Sequence, residues 1–350
     1  MFYIQQAYCI SPQKTFLNVD IEILNEPVDK KLLAIEPAYD GIPPGILRRM
    51  GKAIRMGVGA AMSIIKGNNA LNGIIIGTAK GGMEDCIKFL NQIVQYEEGL
   101  LAPGNFVQST SNAIAAQLGM LSNNKSYNTT HIHRGLAFEN AAIDAIMQIK
   151  ASPGKNYLLG GVDEISDFNY NIENLSGAYK EEAVSSKQLY ETNSPGTIAG
   201  EGAAMFLVND QKDNAIGKLQ AIQIFQSEDD NFVKSNLQQF IARYLPAGEK
   251  IDLLVSGENG DDRIYKFYKG CEDLMEKETA IARFKHLSGD IPTASAFALW
   301  LACYALQEKN LPAHMMKKPL AGTDYNNILL YNNYKGVQHS FMLVRNIEHI

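Results

Sequence analysis

Tyr127-Asn128-Thr129-Thr130-His131-Ile132-His133-Arg134-Gly135 decides how the chain reads. The stretch follows a polar turn, Ser122 to Ser126. It precedes an amphipathic run, Leu136 to Lys150, with apolar residues at Leu136, Ala137, Ile143, Ile146, Met147 and Ile149. The pattern predicts a short strand, a sharp bend and a helix. Such a bend exposes one side chain, and the helix N-terminus behind it favours negative charge, which is why α/β enzymes hold nucleophiles there. The residue expected at the bend is Ile132, which has no nucleophilic atom. His131 and His133 flank it and are candidates for an acid/base role, since imidazole titrates near neutrality. Packing or hydrogen bonding is the plainer reading of both.

Working outward, alternating strand and helix patterns recur on both sides of this stretch. Before it come expected strands at 2–10 and 18–24, a proline- and glycine-rich loop, a helix over 46–66, the apolar run Asn72 to Gly77 and a helix over 83–95. A further helical segment starts at Pro103 and runs through Leu118. After it come a strand at 156–164, a polar and aromatic loop over 166–194, and a glycine-punctuated strand ending at Val208. Asn209 to Asn214 is a polar break, beyond which the pattern restarts. Strands are expected at 217–225, 252–257, 279–283, 327–331 and 340–345, with helices over 230–245, 261–275 and 294–307. The alternation predicts a duplicated α/β architecture with mostly parallel strands, divided into halves 1–209 and 210–350 that form one unit.

At 350 residues the chain is long enough to bury a sizeable core. A net charge of −6 argues against nucleic acid as the main partner, because phosphate binding needs a concentrated basic surface. Basic residues do gather at Arg48, Arg49, Lys52 and Arg55, as either a solvated helix face or a docking site for an acidic carrier protein. Cys9, Cys86, Cys271 and Cys303 are scattered and show no metal-ligand or disulfide spacing. No metal or cofactor is expected. The first residues, Met1 to Gln6, lack the pattern of a secretory signal, and no apolar run reaches spanning length, so a cytoplasmic protein with no membrane span is expected.

Four landmarks in one order resemble the β-ketoacyl synthase family of the thiolase fold. They are Ile76-Gly77-Thr78 with Gly81-Gly82; Thr130 to Gly135 followed by Leu159-Gly160-Gly161-Val162-Asp163-Glu164; Ile198 to Ala204; and Lys285 to Ala296 followed by Ala302 to Glu308. The resemblance spans nearly the whole chain. It implies duplicated βαβαβαββ halves in a five-layer α-β-α-β-α arrangement. It also implies a decarboxylative condensation chemistry, in which a cysteine at the bend takes an acyl group from a carrier protein and two histidines stabilise the enolate.

Carried over residue by residue, that set is replaced. The family's Thr-Ala-Cys-Ala-Ser-Gly matches Thr130 to Gly135, which puts Ile132 at the cysteine. The first histidine falls at Gly257 and the second at Asp290, and only the supporting Lys285 remains. The glycine-rich gate near the C-terminus becomes Asn332 to Ser340, with Tyr334 and Gly336 in it. Phe106 and Asn112 fall where family members line the acyl pocket and the subunit interface. The resemblance therefore points to a partner that pairs with an active ketosynthase, like a chain-length factor in fatty-acid, polyketide or polyene biosynthesis, with an acyl carrier protein as a further partner. Three alternatives stand beside it: an active 3-oxoacyl synthase read in the wrong register, an acyltransferase or hydrolase with a non-standard site, and a homodimeric acyl-binding protein.

Overall fold

Isoleucines 74, 75 and 76 show how the layers are built. Side chains alternate across a strand, and here both faces are buried: Ile74 and Ile76 enter one hydrophobic cluster while Ile75 enters another. The computed structural model describes residues 1–67, 71–101, 103–319 and 324–349. Its main sheet has eleven strands: β1 (Phe2–Ile10), β2 (Leu71–Gly77), β3 (Tyr127–His131), β4 (Asn156–Asp163), β5 (Gly202–Asn209), β6 (Gly217–Gln226), β7 (Leu253–Ser256), β8 (Ala280–Arg283), β9 (Met316–Lys318), β10 (Asn327–Tyr334) and β11 (Gln338–Arg345). Their spatial order is β9-β8-β7-β10-β11-β6-β1-β5-β4-β2-β3.

That order contains one topology twice. In the first half the strands lie third, second, fourth, fifth, first (β3-β2-β4-β5-β1). In the second half they lie the same way (β8-β7-β10-β11-β6), with β9 added at the edge. Parallel pairing is confined to the first three positions of each repeat, β3-β2-β4 and β8-β7-β10. The fifth strand of each repeat is antiparallel to its neighbours, and β1 and β6 join the repeats antiparallel. The sheet is thus mixed rather than mostly parallel.

Helices fill three layers around the two half-sheets. In the middle lie α4 (Ala137–Ala151) and α8 (Ala294–Glu308), packed on each other and on strands of both halves. Ala141, Ala142 and Ala145 keep α4 thin where α8 approaches, and α8 is buried along nearly its whole length. The outer face of the first half is covered by α1 (Lys52–Gly67) and α3 (Ala113–Leu121). The outer face of the second half is covered by α6 (Asp230–Tyr244) and α7 (Tyr265–Glu272). Leu253 and Val255 point to the middle cluster and Leu254 to the outer one, repeating the isoleucine pattern of β2. This is the thiolase-like five-layer arrangement.

Two helices stand apart from these layers. One is α2 (Met83–Gln95), which packs against the short helical turn Pro103–Gln108. The other is α5 (Asp167–Leu175), which lies in the segment expected to be a loop. Residues 18–24 form no strand: only an isolated Lys14–Asp20 bridge is present. Their alternating Val19, Ile21 and Ile23 mimic a strand, but only Ile21 is buried, and it anchors an irregular segment. The helix expected over 46–66 is broken, with one turn at Pro44–Leu47 and α1 beginning at Lys52. The helix expected over 261–275 shrinks to a 3-10 turn and the two turns of α7.

Candidate functional site

The bend is built as the residues dictate. β3 lies parallel to β2 and ends with the His131 carbonyl accepting from the Thr78 N–H at 3.0 Å. Ile132 and His133 follow, both exposed, and a 3-10 turn at Arg134–Leu136 leads into α4. Arg134 takes the left-handed conformation (φ 50°), so the sharpest turn falls two residues after Ile132. Gly135 has to be glycine: a Cβ there would overlap Tyr334, while its N–H donates to Gln338 Oε1 at 3.0 Å. The bend is thereby fastened to the β10–β11 hairpin of the second half.

His131 faces α4. Its Nε2 lies 2.9 Å from Asp144 Oδ2, which also accepts from the Tyr127 hydroxyl at 2.9 Å. Strand alternation sends Asn128 and Thr130 the other way, to the Ala115 carbonyl and to Asn112 Oδ1, both at 2.8 Å. His131 is therefore held in an Asp–Tyr cluster on the strand's inner face, whereas Ile132 is 55% exposed beyond the strand end.

Beside the bend, on the other side of Tyr334, lies a cavity of about 310 Å³. Its walls include Tyr179, Thr197, Asn259, Asp290 and Tyr334, with Lys80, Glu173 and Lys335 also lining it. Asp290 is set by a close backbone approach. Gly289 (φ 68°) and Gly200 pack so tightly that a Cβ on either would overlap the other segment's backbone, which lets Asp290 N–H donate to the Ile198 carbonyl at 2.7 Å. The Asp290 carboxylate is ion-paired with Lys285, whose side chain is 1% exposed. Asn259 Nδ2 approaches the other carboxylate oxygen at 3.4 Å.

Asn259, rather than Gly257, is thus the residue of its loop that faces Asp290. Gly257 sits against Tyr331 and Asn332 of β10 and donates its N–H to the Tyr331 carbonyl. Gly336 (φ 70°) packs on Ile264 at the hairpin turn and does not line the cavity, whereas Tyr334 and Lys335 of the same segment do. Phe106 is 58% exposed and lines none of the cavities described here, and Asn112 accepts from Thr130.

Burial raises the Tyr179 and Tyr334 hydroxyl pKa values, and nearby Asp290 and Glu173 raise both further. Both phenols therefore stay protonated at neutral pH. Glu173 meets Lys80 at 3.9 Å and is ion-paired with Lys335, joining α5 to the β10–β11 hairpin beside the cavity. Behind the site, Glu139 is buried and accepts from Ser295 and Ser340; burial raises its carboxyl pKa against those hydroxyls. Asp163 Oδ1 accepts from Thr78, Ala79 and Lys80 at 2.8–3.0 Å, while its Oδ2 is buried without a partner among the described residues.

Three of the four thiols lie in the core. Burial pushes Cys9 and Cys303 up to about 12 and raises Cys271 too, so none is a thiolate near neutrality. Cys86 is half-buried on α2. Among the described residues no group of three or more His, Cys, Asp or Glu is placed to hold a metal, and no helix is long and apolar enough to cross a membrane. A second cleft, of about 620 Å³, has Arg48, Arg49 and Lys88 on it together with Glu84, Asp85 and Glu164. Lys52 reaches from it to the buried Glu201, which also accepts from the Ala34 and Ile165 N–H groups.

Residues 27–199 match the sequence model of the β-ketoacyl synthase N-terminal domain. Over that stretch the chain is similar to the β-ketoacyl synthase N-terminal domain. The whole chain has the ketosynthase fold. It superposes on a ketosynthase (ApeO) in complex with its chain length factor (ApeC) from Xenorhabdus doucetiae, with a TM-score of 0.74, 12% identity and coverage of 99% of this chain and 98% of that one. The ishigamide ketosynthase/chain length factor gives a TM-score of 0.73 at 14% identity, covering 99% of both chains. A β-ketoacyl synthase from Burkholderia phymatum STM815 gives 0.70 at 14% identity, covering 89% and 86%. No curated protein matches the chain in sequence.

Proposed function

We propose that this ketosynthase-like chain does not condense acyl groups itself but pairs with an active ketosynthase and shapes the pocket in which its acyl chain grows. The setting would be fatty-acid, polyketide or polyene biosynthesis in the cytoplasm. The halves 1–209 and 210–350 act as one unit. The observation that carries the reading is the charge at the cavity, beside a bend that presents Ile132: the Lys285 ammonium is taken up by Asp290 and the Asn259 amide leans on the same carboxylate, so neither is free to hold an enolate. The pair offers developing negative charge no net positive charge, and Ile132 cannot carry an acyl group.

Pairing is supported by what the first half leaves uncovered. β3 is the last strand of the sheet and has an open edge, which natural proteins cover or pair. Met120 on α3 and Met147 on α4, the helices that pack beside it, are more than half exposed, as are Phe106, Val107, Val94 on α2 and Leu100 further along the first half. Large apolar side chains exposed in this number beside a free sheet edge support an interaction site there. A second strand laid along β3 would continue the sheet across two subunits and place Phe106 and Asn112 against the partner's pocket. Arg48 and Arg49, exposed on the large cleft, offer an acidic carrier protein a complementary surface.

The test is product analysis with a candidate ketosynthase partner, with and without this chain. The proposal requires that the chain alone forms no condensation product from acyl and malonyl thioesters, and that adding it changes the partner's product length or yield. A partner that makes the same products alone would overturn it.

A further inference from the structure

The cavity beside the bend carries a reading that does not depend on pairing. We propose that it binds a small ligand bearing a protonated amine. Asp290 spends one carboxylate oxygen on Lys285, while among the described residues the other meets only a long 3.4 Å contact from Asn259 and keeps capacity to accept. Tyr179 and Tyr334 line the same cavity. Tyr179 is held by a stacked contact with Tyr170, at 5.0 Å between centroids and 11° between planes. A carboxylate beside aromatic faces is the combination that holds an ammonium, by ion pairing and by attraction to the ring quadrupole.

The basic groups at the cavity are already engaged and leave little for an anion. Glu173 takes Lys80 and Lys335, Asp261 takes Arg263, and Asp290 takes Lys285. The charges felt by Tyr179 are those of Asp290 and Glu173, and Tyr334 feels Glu173, Asp290 and Asp163 with Arg134 opposing. An anion would have to break one of these pairs to enter, whereas an ammonium adds to Asp290 without displacing its lysine. At about 30 Å³ per water-sized group, a volume of about 310 Å³ holds a ligand of about ten non-hydrogen atoms.

A charge series tests this on the purified full chain near neutral pH: 4-aminobutan-1-ol, butane-1,4-diol and 4-hydroxybutanoate, followed by ligand-observed NMR and calorimetric titration. The amine should bind about tenfold tighter than the diol or the carboxylate, and Asp290→Asn should remove that advantage. Because that variant strands the Lys285 ammonium, the double variant Lys285→Met/Asp290→Asn, which strands no charge, is measured beside it. Equal or tighter binding of the carboxylate, no binding of the amine at millimolar concentration, or unchanged amine binding in the double variant would each overturn the proposal. None of these results bears on whether a ketosynthase complex forms, so the two readings fail separately.

Discussion

Asp290 and Ile132 set what the site can do, one by its charge and the other by what it lacks. Changing Ile132→Cys would supply a thiol at the helix N-terminus, and a labelled acyl thioester should then acylate it. Release of CO2 from a malonyl thioester should nonetheless stay at background. The Lys285 ammonium is already paired with Asp290, so the pair offers an enolate no net positive charge, and Asn259 is neutral. Condensation by the single variant would contradict this. The ion pair has its own signature in stability. Asp290→Ala leaves the buried Lys285 unpaired and should cost about 3–5 kcal/mol in chemical denaturation, while Lys285→Met/Asp290→Ala should recover most of that loss. If the double variant is no more stable than the single, the pair is not the structural unit described. Ile132, Lys285 and Asp290 could be singled out from the sequence because glycines flank the motifs they lie in. Asn259 was not legible, because an irregular loop has no periodicity to fix its register. Tyr179 and Glu173 lay in a polar stretch with no motif, and only the folding of α5 brings them to the cavity.

At the scale of elements, the account rests on β3 and α2. The isoleucine run of β2, the alternation of β4 and the amphipathic α4 are legible because both faces of each strand, or one stripe of the helix, have to be buried. The failures have the same cause in reverse. Residues 18–24 alternate like a strand but find no neighbouring strand to pair with, and α5 buries no residue fully, so no apolar face announced it. The α2 segment reads as an ordinary amphipathic helix, yet none of its apolar residues is fully buried, and Leu90 and Val94 are more than half exposed. Leu100→Asp with Val107→Asp should therefore leave the melting temperature of the chain alone unchanged within about 2 °C, while abolishing association with a ketosynthase in gel filtration. Retained association would move the interface elsewhere.

For the molecule as a whole, buried titratable groups make stability depend on pH in two opposing senses. Burial holds His286 down at about 3, with His314 and Arg283 adding to it, and holds His339 down at about 4. Below about 6.5 the unfolded imidazoles bind protons that the folded ones refuse, so stability is lost as pH falls. Glu164 runs the other way. Burial lifts it to about 7, against the Ala53 N–H that lowers it, and Asp85, Glu201 and Glu84 add to the rise. Between about 4.3 and 7 the folded carboxyl keeps a proton that the unfolded one releases, so its contribution fades as pH rises. Glu164→Gln removes that opposing slope. Stability measured by denaturation should then climb more steeply from pH 5 to 6.5 than in the unaltered chain, by up to about 1.4 kcal/mol per pH unit. Equal slopes would contradict the assignment. The two repeats of one strand order were legible as a restart of the pattern after Asn209. The antiparallel fifth strands were not, because hydrophobic runs buried on both faces read alike in either direction.

The central claim concerns a second subunit, and native mass spectrometry of this chain co-expressed with a ketosynthase that has an intact cysteine and two histidines tests it most directly. The account predicts a one-to-one heterodimer that survives purification. Homodimers of each chain, with the ketosynthase condensing normally in the absence of this one, would contradict it.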